Sequence, residues 1–164
     1  MSAIISACGT YRYLLTREFG SSPRIATFIM LNPSTADATV DDQTIRKCIG
    51  FSKKWGCGGF RVINLFAVRA RDPAEMKKHP APQGPDNKKH FDEAIRTAKA
   101  CPHQGPIVCA WGTRHRVRPA SRCWSNAPSR VSILSYDFQH GPVAGAERYR
   151  NGVIRQPLKY LPSS

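Results

Sequence analysis

The residues that could do chemistry collect where apolar runs break off. In "FIMLNPSTAD", four apolar residues end at Asn32-Pro33-Ser34-Thr35, followed by Asp37. An asparagine cannot serve as a general base, but its amide can hold a water by hydrogen bonds. Asp37, Asp41 and Asp42 bring carboxylates to the same turn, Asp37 being the favoured one. The plain alternative for Asn32-Pro33 is an Asx-type turn that ends a strand. For Asp41-Asp42 it is helix capping by at least one of the two. A second apolar run, "VINLFAV", carries Asn64, which is either a paired donor and acceptor for a ligand or a buried turn asparagine. Arg69 and Arg71 follow it, placed to grip phosphates or to pair with Asp72 and solvent.

These residues need elements to hold them. "YRYLLTR" (11–17) alternates as a strand, in an edge hairpin, and "RIATFIML" (24–31) is a buried strand. "DQTIRKCIGFSKKWG" (42–56) is an amphipathic helix stopped by Gly56. "GFRVINLFAV" (59–68) is the next strand, and the Pro-rich 72–86 is a short helical turn and then a loop. A second amphipathic helix spans 87–100, with strands at 105–112 and 130–137. Strands alternating with helices predict a single α/β domain over 1–164, its sheet mostly parallel and covered on both faces. "LNPSTAD", "NLFAVRARDP" and "AWGTRHR" then meet at one sheet edge, where open α/β sheets place ligands.

Charge points to a polyanionic partner. Lys and Arg number 25 against 11 Asp and Glu, a net +14. The stretch 113–130 has five arginines, among them Arg114, Arg116, Arg118 and Arg122, and no acid. Trp124 lies among them as a base-stacking candidate, whereas Trp111 reads as core. Nucleic acid is the expected partner, held mainly by phosphates, with simple solubility as the bland alternative. The six cysteines form no CxxC pair, Cys48 and Cys109 read as core, and the five histidines lack metal-ligand spacing. No metal or organic cofactor is expected. No apolar run has membrane-spanning length and the first residues do not resemble a signal peptide, so a cytoplasmic location is expected.

The joint pattern of NPSTAD, DD-x-T-x-R-x-C, WG and NLFA-x-RA-x-DP closely resembles a bacterial and phage family catalogued as domain of unknown function 1643. The order of the motifs also resembles the uracil-DNA glycosylase superfamily, which implies a three-layer α/β sandwich around a four-stranded, mostly parallel sheet. In that resemblance Asn32 falls on the residue that positions the attacking water, and Asn64 on the base-recognising asparagine. Arg69 and Arg71 would then hold DNA phosphates. "RQPLKYLP" stands where the superfamily has His-Pro, so Gln156 replaces the histidine that assists the leaving base. Gln156 would donate to a base carbonyl or lie at the surface. Ser34, with Thr35 next, occupies the place of an aromatic gate against groups on C5 of a pyrimidine. The resemblance thus implies a DNA glycosylase acting on a flipped, 5-modified (hydroxymethylated or glucosylated) pyrimidine, with anti-phage defence as its use. Two rivals stand beside it: a hydrolase or transferase of free nucleotides, and a non-catalytic nucleic-acid-binding module.

Overall fold

A computed structural model describes residues 1–111 and, by backbone, 133–137 and 141–142. Arg114, Arg116, Arg118, Arg122, Trp124 and Gln156 lie outside the described residues.

The chain forms strands β1 (Ser2–Ile5), β2 (Arg12–Glu18) and β3 (Ile25–Met30), then helix α1 (Gln43–Lys54) and β4 (Gly59–Asn64). Helices α2 (Pro73–Lys78) and α3 (Asn87–Ala100) follow, then β5 (Gln104–Ala110), β6 (Ile133–Asp137) and β7 (Gly141–Pro142). The strand order is β1-β2-β4-β3-β5-β6-β7. β4, β3, β5 and β6 run parallel to one another, whereas β1 and β2 at one edge and β7 at the other pair antiparallel. The protein is therefore α/β, with a larger and more mixed sheet than the four-stranded one expected. The additional strands are antiparallel β2, the edge strand expected from "YRYLLTR", and the short edges β1 and β7, whose sequence signal is weak. β1 in particular is half-buried to exposed, so it lacks the buried face that marks a strand.

α1 packs on one face of the sheet. Ile45, Cys48 and Phe51 meet Leu15, Phe28, Phe60, Val62 and Val108 there. α3 covers the other face, where Ala94 and Ile95 meet Ile29, Ile63, Ile107 and Cys109. β3 is covered on both sides, which is why its residues apart from Thr27 are apolar rather than alternating with polar ones. Cys48 and Cys109 are buried in these two cores.

Helix boundaries follow capping chemistry. Asp42 Oδ1 accepts from Ile45 N at 2.9 Å and starts α1. Gly56, at φ 67°, adopts the left-handed conformation just past its end. Asp72 starts α2 in the same way, accepting from Ala74 N at 2.8 Å. No described helix is long and apolar enough to cross a membrane.

Candidate functional site at the carboxyl edge of the sheet

Met30 of β3 is in register with Asn64 of β4 and with Ala110 of β5, so three parallel strands end together. Antiparallel β2 begins at the same edge, because Leu15 lies opposite Val62. The edge therefore gathers residues 31–42, residues 65–72 and the start of β2.

Loop 31–34 is fastened to loop 65–70 almost as a continued ladder. Leu65 N donates to Met30 O, Phe66 N to Leu31 O, and Ala70 N to Pro33 O, each at 2.9 Å. Asn32 completes this seam, its Nδ2 donating to Pro33 O (3.0 Å) and Ala70 O (2.9 Å). Both amide hydrogens are thus committed to backbone, and its Oδ1 is left as the group with acceptor capacity for a water. Ala70 lies between Arg69 and Arg71, so the Asn32 bond also fixes the backbone that carries both arginines. β4 ends at Asn64 and not at Val68 as expected, because Leu65–Val68 turn to this seam and to β2.

Asn64 is the most unusual residue of the edge. It is 1% exposed, and neither its Oδ1 nor its Nδ2 has a hydrogen-bond partner among the described residues. Strand alternation puts it on the α1 face with Phe60 and Val62. Leaving a buried amide unpaired costs about 1–3 kcal/mol, so such groups in native proteins call for a ligand or water. Its own carbonyl is held by Asn87 Nδ2 at 3.0 Å, and the same nitrogen reaches Leu65 O at 3.2 Å. Asn87, the first residue of α3 and 5% exposed, thus fixes the end of β4. Sequence reasoning missed it, since an asparagine at a helix start reads as an end signal.

Two buried arginines hold the 31–42 loop from below. A β-bulge in β2 makes this possible: Ile4 pairs with Leu14 and Ile5 with Arg12, leaving Tyr13 as the extra residue. Leu14 and Tyr13 both turn toward α3, Leu14 into its core and Tyr13 onto the ring of His90 at 5.1 Å. Arg12 consequently joins Leu15 and Arg17 on the α1 face. Its Nη1 donates to Ala36 O at 2.7 Å. Arg17 Nη2 donates to Asp37 O at 2.6 Å, and its Nε bonds and ion-pairs with Asp41 Oδ1 at 2.8 Å. Neither arginine was singled out in the sequence. The acidic pair divides as the capping alternative allows, Asp42 on the helix and Asp41 on Arg17.

Asp37 closes its own turn. Its Oδ1 accepts from Thr39 N (2.8 Å), Val40 N (2.9 Å) and Thr39 Oγ1 (3.2 Å). The backbone hydrogen bond from Thr39, then that from Val40, hold the carboxyl below its ordinary range, with Arg69 contributing. A lowered folded-state pKa means that the turn's stabilisation is present above the ordinary carboxylate range and is lost as pH falls through the lowered value. Acid titration followed by NMR should therefore move the Thr39 and Val40 amide resonances together, at a pH below that of an ordinary aspartate. A titration at the ordinary value would show that the turn bonds do not hold the carboxylate.

Ser34 is half-buried and Thr35 exposed. Arg71 is exposed, while Arg69 is half-buried with Nη1 donating to Gly9 O at 3.3 Å. Asp72, offered as a partner for these arginines, is engaged as the α2 cap instead. Trp111 packs against the α3-side core.

The fold and edge define an α/β protein with a polar, arginine-rich seam at the carboxyl ends of its parallel strands. Residues 12–131 match the family described as "Protein of unknown function (DUF1643)", and the chain belongs to that family. No curated protein and no solved structure matches the chain.

Proposed function

We propose that the protein is a DNA glycosylase that hydrolyses the N-glycosidic bond of a flipped pyrimidine carrying a polar 5-substituent. The observation that carries this reading is Asn64: a buried amide with both polar atoms unpaired among the described residues, at the sheet edge where α/β folds take ligands. An amide offers one donor and one acceptor side by side, which pairs two-fold with the edge of a pyrimidine. Asn32, its Nδ2 committed to two carbonyls, presents Oδ1 to the attacking water.

In this mechanism the C1′–N bond breaks with its electron pair going to the base, and the water oxygen bonds C1′ from the opposite side. The water's proton passes to solvent. Asp37, held ionised by its turn, acts by charge on the oxocarbenium-like sugar and is a poor proton acceptor. Ser34 and Thr35 supply hydroxyls where a bulky gate is missing, so a polar group on C5 is accommodated and bonded. Gln156 would meet the base carbonyl. Removal of modified bases of the kind phages carry would serve anti-phage defence.

DNA would be held by Arg69, Arg71 and the basic segment with Arg114, Arg116, Arg118, Arg122 and Trp124. Removing any one arginine that grips a phosphate should lower the slope of log affinity against log salt by about 0.9 on duplex or about 0.7 on single strands. An unchanged slope in a variant with those four segment arginines replaced by alanine would show that the cluster is only a solvated face. The reading itself is tested by chromatography of free bases released from modified DNA. Release of a 5-modified pyrimidine supports it. Intact DNA across the whole panel, with binding retained, supports the non-catalytic rival.

A further inference from the structure

Arg12 carries no role in the proposed glycosidic chemistry, yet its burial needs an explanation. The start of β2 pairs antiparallel with loop 65–70: Tyr11 bridges Val68, Arg12 N donates to Ala67 O, and Arg69 N donates to Thr10 O. In such a ribbon, opposed residues share a face. Tyr11 and Val68 share one, in a small cluster with Leu31 and Met76. Arg12 and Arg69 therefore lie on the other as diagonal neighbours, with a typical separation of about 7–8 Å.

Both guanidiniums have a buried Nε with no hydrogen-bond partner among the described residues. Arg12 is 2% exposed and spends Nη1 on a neutral carbonyl, Ala36 O. Neither arginine has an ion-pair partner among the described residues, whereas Arg17 is paired with Asp41. The two nearby acids are engaged elsewhere, Asp42 on the α1 cap and Asp37 on its turn. Burial pushes the Arg12 pKa down to about 10, with Asp42 opposing and Arg69 and Arg17 adding to the fall. It therefore stays charged at neutral pH, beside a second cation. A buried cation with no carboxylate bonded to it is costly, and a bound anion would supply that contact.

We infer that Arg12 and Arg69 form a phosphate-binding subsite, with buried Arg12 as its floor and half-buried Arg69 as its mouth. Two guanidinium forks suit an anion that presents several oxygens in a tetrahedron better than they suit a single carboxylate. The phosphate could belong to a nucleic-acid backbone or to a free nucleotide.

The test is calorimetric titration of the full chain with inorganic phosphate. Arg69→Ala should weaken binding at least about tenfold, the scale of one lost charge-assisted pair. Arg46→Ala, which removes the same charge from the exposed side of α1, should leave affinity within about twofold of wild type. If Arg69→Ala does not fold, Arg69→Lys keeps the charge but not the fork, and a loss of several-fold is expected. Equal affinity in wild type and the Arg69 variant, an equal loss in Arg46→Ala, or displacement of phosphate by equimolar acetate would overturn the inference. Thymidine 5′-monophosphate and the dinucleotide TpT then separate the sources, since the dependence on Arg69 should appear with the one that supplies the phosphate. Binding alone is read, so a protein that releases no base can still uphold the subsite, and an active glycosylase can still refute it.

Discussion

Replacing Arg17 with methionine should destabilise the protein by about 3 kcal/mol, the scale seen when one partner of a buried pair is removed. The Arg17 side chain is 1% exposed and links three parts of the edge: Thr16 O, Asp37 O and the carboxylate of Asp41. Methionine fills much of the volume but donates nothing, so the carbonyls lose their donors and Asp41, 21% exposed, its counter-charge. The loop 37–42 should loosen with it, and protease cleavage there should precede global unfolding. Urea denaturation of the two proteins measures the difference. A loss below about 1 kcal/mol, the scale of a surface pair, would mean that Arg17 does not anchor the loop.

Asn64→Leu should do the reverse. The side chains are close in size, and the wild-type amide is buried with neither polar atom paired among the described residues. Removing it should raise stability by about 1–2 kcal/mol, the lower part of the desolvation cost of an unpaired polar group. On the proposed mechanism, base release should fall by on the order of 10³ or more, since both hydrogen bonds that Asn64 would make to the base are removed. A more stable and inactive variant is the signature of a residue kept for function against stability. If the variant instead unfolds, Asn64 is a structural turn residue, and Asn87, which holds its carbonyl, belongs to the same scaffold.

How much of this was legible depends on how local the determinant is. β3 and α3 were legible because each writes its environment into its own residues, a largely apolar run in one and a helical stripe in the other. The cap at Asp42 and the stop at Gly56 are equally local. The β2 arginines were not. In "YRYLLTR" an alternating strand leads one to expect charged side chains toward solvent, yet both are buried because a loop some twenty residues later turns its carbonyls toward them. The bulge at Tyr13, which re-aims Arg12, leaves no mark in composition. Asn32 and Asn64 were both singled out, but the difference between them is three-dimensional: the Asn32 amide is tied to Pro33 and Ala70, while the Asn64 amide has no partner among the described residues. Asp37 was read as a candidate carboxylate, and its place in a turn became visible only through the backbone of Thr39 and Val40.

The most direct test of the proposed activity is alkali-induced strand breakage in DNA incubated with the wild-type protein and with Asn64→Leu. DNA bearing hydroxymethylated or glucosylated pyrimidines should break at those bases with the wild type and stay intact with the folded variant, while uracil-containing DNA is a poor substrate. Efficient breakage of uracil DNA with none of the modified DNAs, no breakage of any DNA by the wild type, or undiminished breakage by Asn64→Leu would contradict it.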